Sequence, residues 1–386
     1  MSVKKESPKI YFENLNAIRF IAASLVIVHH IEQFKDIFHL PNNWDNKVIE
    51  SLGRLGVVLF FVLSGFLISY LLFKEKELTN TISIRKFYIR RILRIWPLYF
   101  LIILSSLFII PFISFFTLAD FGRDVVWSNL FYKLLLFVFF LPNLVLNLFG
   151  VIPYASQAWS IGAEEQFYLV WPGLNKHVKN KWALMFGVIL FYLVIRVFIS
   201  FLPVSNFKTV FEGFWLSTPI DCMAIGGLFA LIIFENNRFT QGIRKIIFSK
   251  SFQILMLLIT ILFVYKSYHL PYIDKYFHFE FYSIMFGLLI CNFAANENRI
   301  FSMENRVFGY LGKISYGLYM YHPIIIVLSI KLCSLLDYHE NIILYPLVFI
   351  LVIGLASLSY EFFEKRFIDR KAKYSEIISG DNAKIN

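Results

Sequence analysis

The chain has 386 residues, of which 58% are hydrophobic and only 16% charged, and 45 of them are phenylalanine. Soluble domains carry about 25% charged residues, and most of the long apolar runs here have no polar face at helical spacing, which excludes an ordinary soluble fold. The formal charge of +11 does not indicate nucleic acid, because the basic residues sit in short segments between apolar runs, the pattern of loops facing anionic lipid.

Taken in chain order, apolar spans are expected near 17–35, 55–73, 96–117, 130–149, 182–202, 216–234, 251–268, 277–295, 314–333 and 343–363. Each can cross a hydrocarbon core that needs about 20 helical residues. The first run lacks a small-residue cleavage site, so it is expected to be retained as a helix. With the N-terminus placed in the cytoplasm, 26 of the 37 lysines and arginines fall in segments on the cytoplasmic side. That asymmetry predicts ten spans with both termini cytoplasmic, in a plasma or bacterial inner membrane.

One apolar segment is left over, "AWSIGAEEQFYLVWP", residues 158–172. Counted as an eleventh span it would put the basic "NKHVKNK" (175–181) outside, so it is expected to be a re-entrant or interfacial helix entering from the cytoplasmic side. The fold class is therefore an all-α polytopic membrane protein. Residues 1–370 form one membrane-embedded domain, and 371–386 a short, polar, loosely held cytoplasmic tail. Cys222, Cys291 and Cys333 all lie in apolar segments and read as buried packing residues, without metal-ligand spacing.

Charges inside such spans cost about 2.5–3.5 kcal/mol even on the milder insertion scale and mark functional sites. In "AIRFIAASLVIVHH" (17–30), Arg19 and His30 are eleven residues apart, close to three full turns, so they share a helix face about 16 Å apart. His29 points about 80° away from Arg19. Ala22, Ala23 and Val26 lie between on the shared face and are expected to leave a groove. The structural alternatives are a snorkelling anchor for Arg19 and a core histidine bonded to a backbone carbonyl for His30.

In "RKFYIRRILRIWPLYF" (85–100), Arg90, Arg91 and Arg94 share a helix edge at the inner membrane surface, where guanidinium groups suit phosphate oxygens or lipid headgroups. Glu164, followed by Glu165 and Gln166, must be paired or protonated in an apolar setting. Its alternative role is a salt bridge to the arginine cluster. His322 sits in the ninth span before a proline, and Glu364 near the end of the tenth is expected to pair with an arginine. His39, His177, His269, His278 and His339 fall in loops or at span ends and receive no role.

These segments, in this order, resemble the acyltransferase 3 family of integral membrane O-acyltransferases. "LNAIRFIAASLVIVHH" carries the family's basic residue, ten positions and histidine; "LGRLGVVLFFVLSGFLIS" resembles its second span; "YIRRILRIWPLY" holds its arginine pair as Arg91 and Arg94. "AWSIGAEEQFYLVWP" aligns Glu164 with the family glutamate, and "ISYGLYMYHPI" and "YEFFEKRF" match its closing pair with His322 and Glu364. Two positions depart: Pro219 stands where a basic residue often precedes Asp221 by two, and Arg366 replaces the closing proline. The extracellular hydrolase-like domain that some members append does not follow the tenth span, so the membrane domain is expected to do the chemistry itself.

The resemblance implies acyl transfer from cytoplasmic acyl-coenzyme A, usually acetyl, to a hydroxyl of a carbohydrate or lipid-linked glycan. Arg91 and Arg94 would hold the nucleotide phosphates, Arg19 would steady the pantetheine arm, and His30 would act as general base with Glu164 orienting it. His29, His322, Arg90, Gln166 and Glu364 are secondary candidates, a covalent acyl-histidine is the variant route, and no metal is implied. The rival class is a glycan or lipid transporter, in which buried charges mark a permeation path. A histidine-based pH sensor ranks behind it.

Overall fold

The computed structural model describes residues 9–266, 271–336, 340–375 and 377–379. Its centre is a helix pair, α1 (Leu15–Ile37) and α2 (Lys47–Thr79). The side chain of Asn46 accepts a hydrogen bond from Val48 N to start α2, and Asn80, in the left-handed region at φ 58°, ends it. Next come α3 (Ile84–Phe108), α4 (Arg123–Trp127), α5 (Leu130–Val138), α6 (Pro142–Phe149) and α7 (Ala158–His177). These are followed by α8 (Lys181–Phe201), α9 (Asn206–Leu216), α10 (Ile220–Phe234), α11 (Arg238–Ile247), α12 (Lys250–Lys266) and α13 (Pro271–Ala295). The chain closes with α14 (Arg306–Lys313), α15 (Ser315–Leu335), α16 (Asn341–Ser359), a π-turn at Tyr360–Glu364 and α17 (Lys365–Lys371).

Among the described residues, seven helices are long and apolar enough to cross a bilayer, and eight if α11 and α12, bent by 65°, form one span. Leu190, Phe201 and Ile350 stand more than half exposed on the outer faces of α8 and α16, as lipid contact requires. The protein is thus an all-α polytopic membrane protein. Seven of the expected spans coincide with these seven helices, 251–268 falls largely in α12, and 277–295 in α13.

The expected fourth span is different. Residues 130–149 do not form one helix but an antiparallel hairpin, α5–α6, in which Lys133 at the start of α5 lies 5.8 Å from the ring of Phe149 at the end of α6. The turn is made by Phe140, at φ 56°, and by Pro142, which opens α6 without an N–H. Its tip is held inside the protein. Tyr99 Oη donates to the Phe137 carbonyl (3.0 Å), and Gln166 Nε2 donates to the Phe140 carbonyl (3.0 Å) and to Asn143 Oδ1 (3.1 Å). Backbone freed from a helix at that depth survives only when protein satisfies it. The segment 158–172, in turn, is part of one unbroken 20-residue helix, α7, about 30 Å long.

Small residues set how closely the central helices approach. A Cβ on Gly65 of α2 would fall on the Met223 carbonyl of α10, and a Cβ on Gly226 of α10 would fall on the Val62 carbonyl of α2. Arg196, the second in-span arginine, is buried and ion-paired with both Asp221 and Glu280, which joins α8, α10 and α13. Glu32, fully buried near the far end of α1, is held by Lys35, Tyr345 Oη (2.6 Å) and the backbone N–H of Asn43.

The C-terminal tail is docked rather than loose as far as it is described. Ile378–Ser379 (β2) pairs in parallel with Lys9–Ile10 (β1), Ile377 is buried, and Arg90 Nη1 donates to the Tyr374 carbonyl (2.8 Å). His269 and His339 lie outside the described residues, as do 376 and 380–386.

Candidate functional site

A cavity of about 220 Å³ opens among α1, α2, α3, α7 and α15. Arg19, Arg91, Arg94 and Glu164 all line it, together with Tyr168 and Tyr319. Four residues singled out in three separate motifs therefore meet at one place, carried there by three helices.

The arginines divide by their partners. Arg91 stacks its guanidinium 5.5 Å from the Tyr168 ring centre and 5.6 Å from Phe87, and its buried Nε has no hydrogen-bond partner. Among the described residues, Arg94 Nη2 makes only a long contact, 3.5 Å, to the Lys313 carbonyl. Arg19 Nη1 donates to Asn16 Oδ1 at 2.8 Å. Arg90, grouped with them on the helix edge, turns away to Glu75 (3.1 Å) and the Tyr374 carbonyl.

Glu164 does not reach His30, nor does it form the alternative salt bridge. Its carboxylate accepts hydrogen bonds from Ser64 Oγ (2.9 Å) and Tyr168 Oη (2.8 Å). Glu165 accepts from Trp96 Nε1 (3.1 Å), and Gln166 braces the hairpin tip. Glu364 accepts from Ser359 Oγ (3.2 Å), and no arginine pairs with it among the described residues. Ser359 ends α16 immediately before the π-turn that carries Glu364.

The expected groove along α1 is closed. Ala22, Ala23 and Val26 are at most 1% exposed, because Gly56 lets α2 pack directly on them; a Cβ there would sit 2.6 Å from the Ala22 carbonyl. His30 accordingly lies outside the cavity wall, beyond Tyr319. The Tyr319 ring centre is 5.7 Å from that of His322, which is 4.8 Å from that of His30. Tyr319 Oη is fixed to Ser160 Oγ (2.7 Å) and the Gln157 carbonyl (3.0 Å).

Three imidazoles share one device. His29 Nδ1 faces the Ile49 carbonyl (3.0 Å), His30 Nδ1 the Val26 carbonyl (2.9 Å), and His322 Nδ1 the Tyr319 carbonyl (2.6 Å). A carbonyl only accepts, so each Nδ1 carries a proton, and in the neutral form of each ring Nε2 is the basic nitrogen. His322 Nε2, fully buried, has no partner among the described residues. The carbonyl bond given as the structural alternative for His30 is therefore present, and it engages Nδ1 rather than Nε2.

Ser64, Tyr168 and Tyr319 were not singled out from the sequence. Tyr168 follows Glu164 by four residues and Tyr319 precedes His322 by three, helical spacings that put each pair on one face. Among the described residues no group of three or more His, Cys, Asp or Glu converges as metal ligands would.

A family model described as an acyltransferase domain matches residues 12–361. YrhL of Bacillus subtilis (strain 168), provisionally named a peptidoglycan O-acetyltransferase, is 27% identical over 370 residues, which cover 92% of this chain and 54% of its own length. The peptidoglycan O-acetyltransferase OatA of Listeria monocytogenes is 26% identical over 337 residues, covering 83% of this chain and 50% of its own. The chain thus spans about half the length of these relatives, and no solved structure matches it. With a family match that encloses Arg19, His30, Arg91, Arg94, Glu164 and His322, the chain belongs to the acyltransferase 3 family.

Proposed function

We propose that this protein moves an acyl group, acetyl in the simplest case, from cytoplasmic acyl-coenzyme A to a hydroxyl of a cell-surface carbohydrate or lipid-linked glycan. The names of its relatives favour peptidoglycan as that glycan. The observation that carries the reading is the convergence of Arg19, Arg91 and Arg94 on one cavity whose far wall, Tyr319, backs onto His322 and His30. Arg91 and Arg94 hold phosphates by charge-assisted hydrogen bonds, and the thin pantetheine arm runs past Arg19.

His30 Nε2 takes the proton of the acceptor hydroxyl as its oxygen attacks the thioester carbonyl. The tetrahedral intermediate collapses by breaking the carbon–sulfur bond, and His30 returns the proton to the departing thiolate. Because Val26 already orients the His30 ring, Glu164 acts on the charge balance of the cavity rather than on the imidazole. Tyr319 stands between cavity and imidazoles, so transfer requires its ring to swing aside.

Binding of acetyl-coenzyme A to the detergent-purified protein tests this against a transporter, which has no use for the nucleotide. Arg91→Ala is expected to weaken that binding by about tenfold or more, since a hydrogen bond to a charged group contributes about 1.5–3 kcal/mol. Arg90→Ala should change it far less, because Arg90 is occupied by Glu75. Equal losses from the two variants, or none, would reduce the cluster to a lipid anchor. Glu164→Gln should lower turnover at least tenfold while donor affinity stays within about threefold; full turnover would remove the residue from the mechanism.

A further inference from the structure

The cavity has a wall that the family match does not include. The segment after residue 361 folds back under the helices, and Ile368 and Lys371 of α17 line the cavity alongside Arg19, Arg91 and Arg94. Lys371 also borders a small adjoining cavity with Arg90, Arg91 and Ser375. The segment is pinned at three points: Arg90 on the Tyr374 carbonyl, Ile377 buried against α2, and β2 paired with β1.

Its charge is what calls for a ligand. Among the described residues, the Lys371 ammonium makes no hydrogen bond or ion pair, and neither Arg91 nor Arg94 has a carboxylate within ion-pair distance. The nearest acids are committed elsewhere: Glu75 to Arg90 and the Ser83 N–H, Glu164 to Ser64 and Tyr168. Four cations, Arg19, Arg91, Arg94 and Lys371, line the cavity against a single carboxylate among the described residues, that of Glu164, and a fold that holds such an excess of like charge together is matched to a ligand with several negative charges. An ammonium on a flexible stem complements two planar guanidinium groups, because it follows a diphosphate without demanding a fixed geometry.

We infer that Lys365–Ser375 is a strap that adds Lys371 to the phosphate-binding wall, so that the donor's phosphates are held partly by residues outside the family-matched region. The inference rests on the reading of the donor as an acyl-coenzyme A. It deepens that reading by assigning the grip on the phosphates to a tertiary contact from the chain's far end.

The test uses the full chain in lipid-free detergent micelles, with coenzyme A and the phosphate-free fragment pantetheine as probes. Lys371→Ala should raise the dissociation constant for coenzyme A by about tenfold and leave pantetheine unaffected, whereas Lys371→Arg should stay within about threefold of the original. If the unaltered protein binds coenzyme A and Arg91→Ala weakens it while Lys371→Ala does not, the strap is wrong and the donor reading stands. If the unaltered protein does not bind coenzyme A, the donor reading falls first and the strap with it. If added phosphatidylglycerol displaces coenzyme A from the unaltered protein but not from Lys371→Ala, the lysine serves a lipid headgroup and the inference is overturned.

Discussion

Replacing His30 with alanine is expected to slow acyl transfer by about two to four orders of magnitude, the usual contribution of a general base to such a reaction. A glycan hydroxyl is a poor nucleophile until its proton is taken. In the proposed mechanism His30 takes it, with Nδ1 facing the Val26 carbonyl and Nε2 as the acceptor. Donor binding should remain within about threefold, since the arginines proposed to hold its phosphates line the cavity from α3. Initial rates with acetyl-coenzyme A and a glycan acceptor, measured beside coenzyme A binding, separate the two effects. Retained transfer would shift the base to His322 or His29, whose rings are held by the same device within 5 Å of His30.

Gly65→Val is expected to prevent assembly of the central bundle. In lipid there is no hydrophobic drive to press helices together, so close backbone approach supplies much of the association energy. At Gly65 the obstacle to a side chain is the Met223 carbonyl, and at Gly226 it is the Val62 carbonyl. A flexible side chain could yield, but a helix backbone cannot without moving the whole of α10. Overpacking of cores typically costs about 1–3 kcal/mol, and a clash between two backbones belongs at or above the top of that range. The measurement is the yield of monodisperse protein and its melting temperature in detergent, with Gly354→Val as control, because nothing lies within 4 Å of a Cβ there. Equal behaviour of the two variants would mean that α2 and α10 are not tightly docked.

The helices that dominate the fold could be read from hydropathy, because each is a long apolar run with basic flanks. The exception, 130–149, shows what a hydropathy window averages away. Phe140 and Pro142 reverse the chain in the middle of an apolar run, and a reversal of direction leaves no mark on mean hydropathy. The segment 158–172 is the converse case: it is helical but not among the helices apolar enough to cross, and its two carboxylates are bound by Ser64, Tyr168 and Trp96.

Within the site, residues placed by helical period were legible, and residues placed by a second helix were not. Arg19 lines the cavity and His30 does not, and Gly56, which belongs to α2, decides whether the strip between them is open or packed. Ion pairing likewise separates Arg90 from Arg91, and the partner that does so, Glu75, lies 15 residues away on another helix. Lys371 carries no local signal at all; its place follows from a strand pairing between the two ends of the chain.

That pairing also constrains the bilayer topology. Lys9–Ile10 and Ile378–Ser379 form adjacent strands, so the polypeptide leaves the membrane domain on the face where it entered. Such a chain traverses the bilayer an even number of times, whichever compartment that face meets. An odd number of crossings is therefore excluded, and reporters fused at the two extremities should be reached by the same impermeant label.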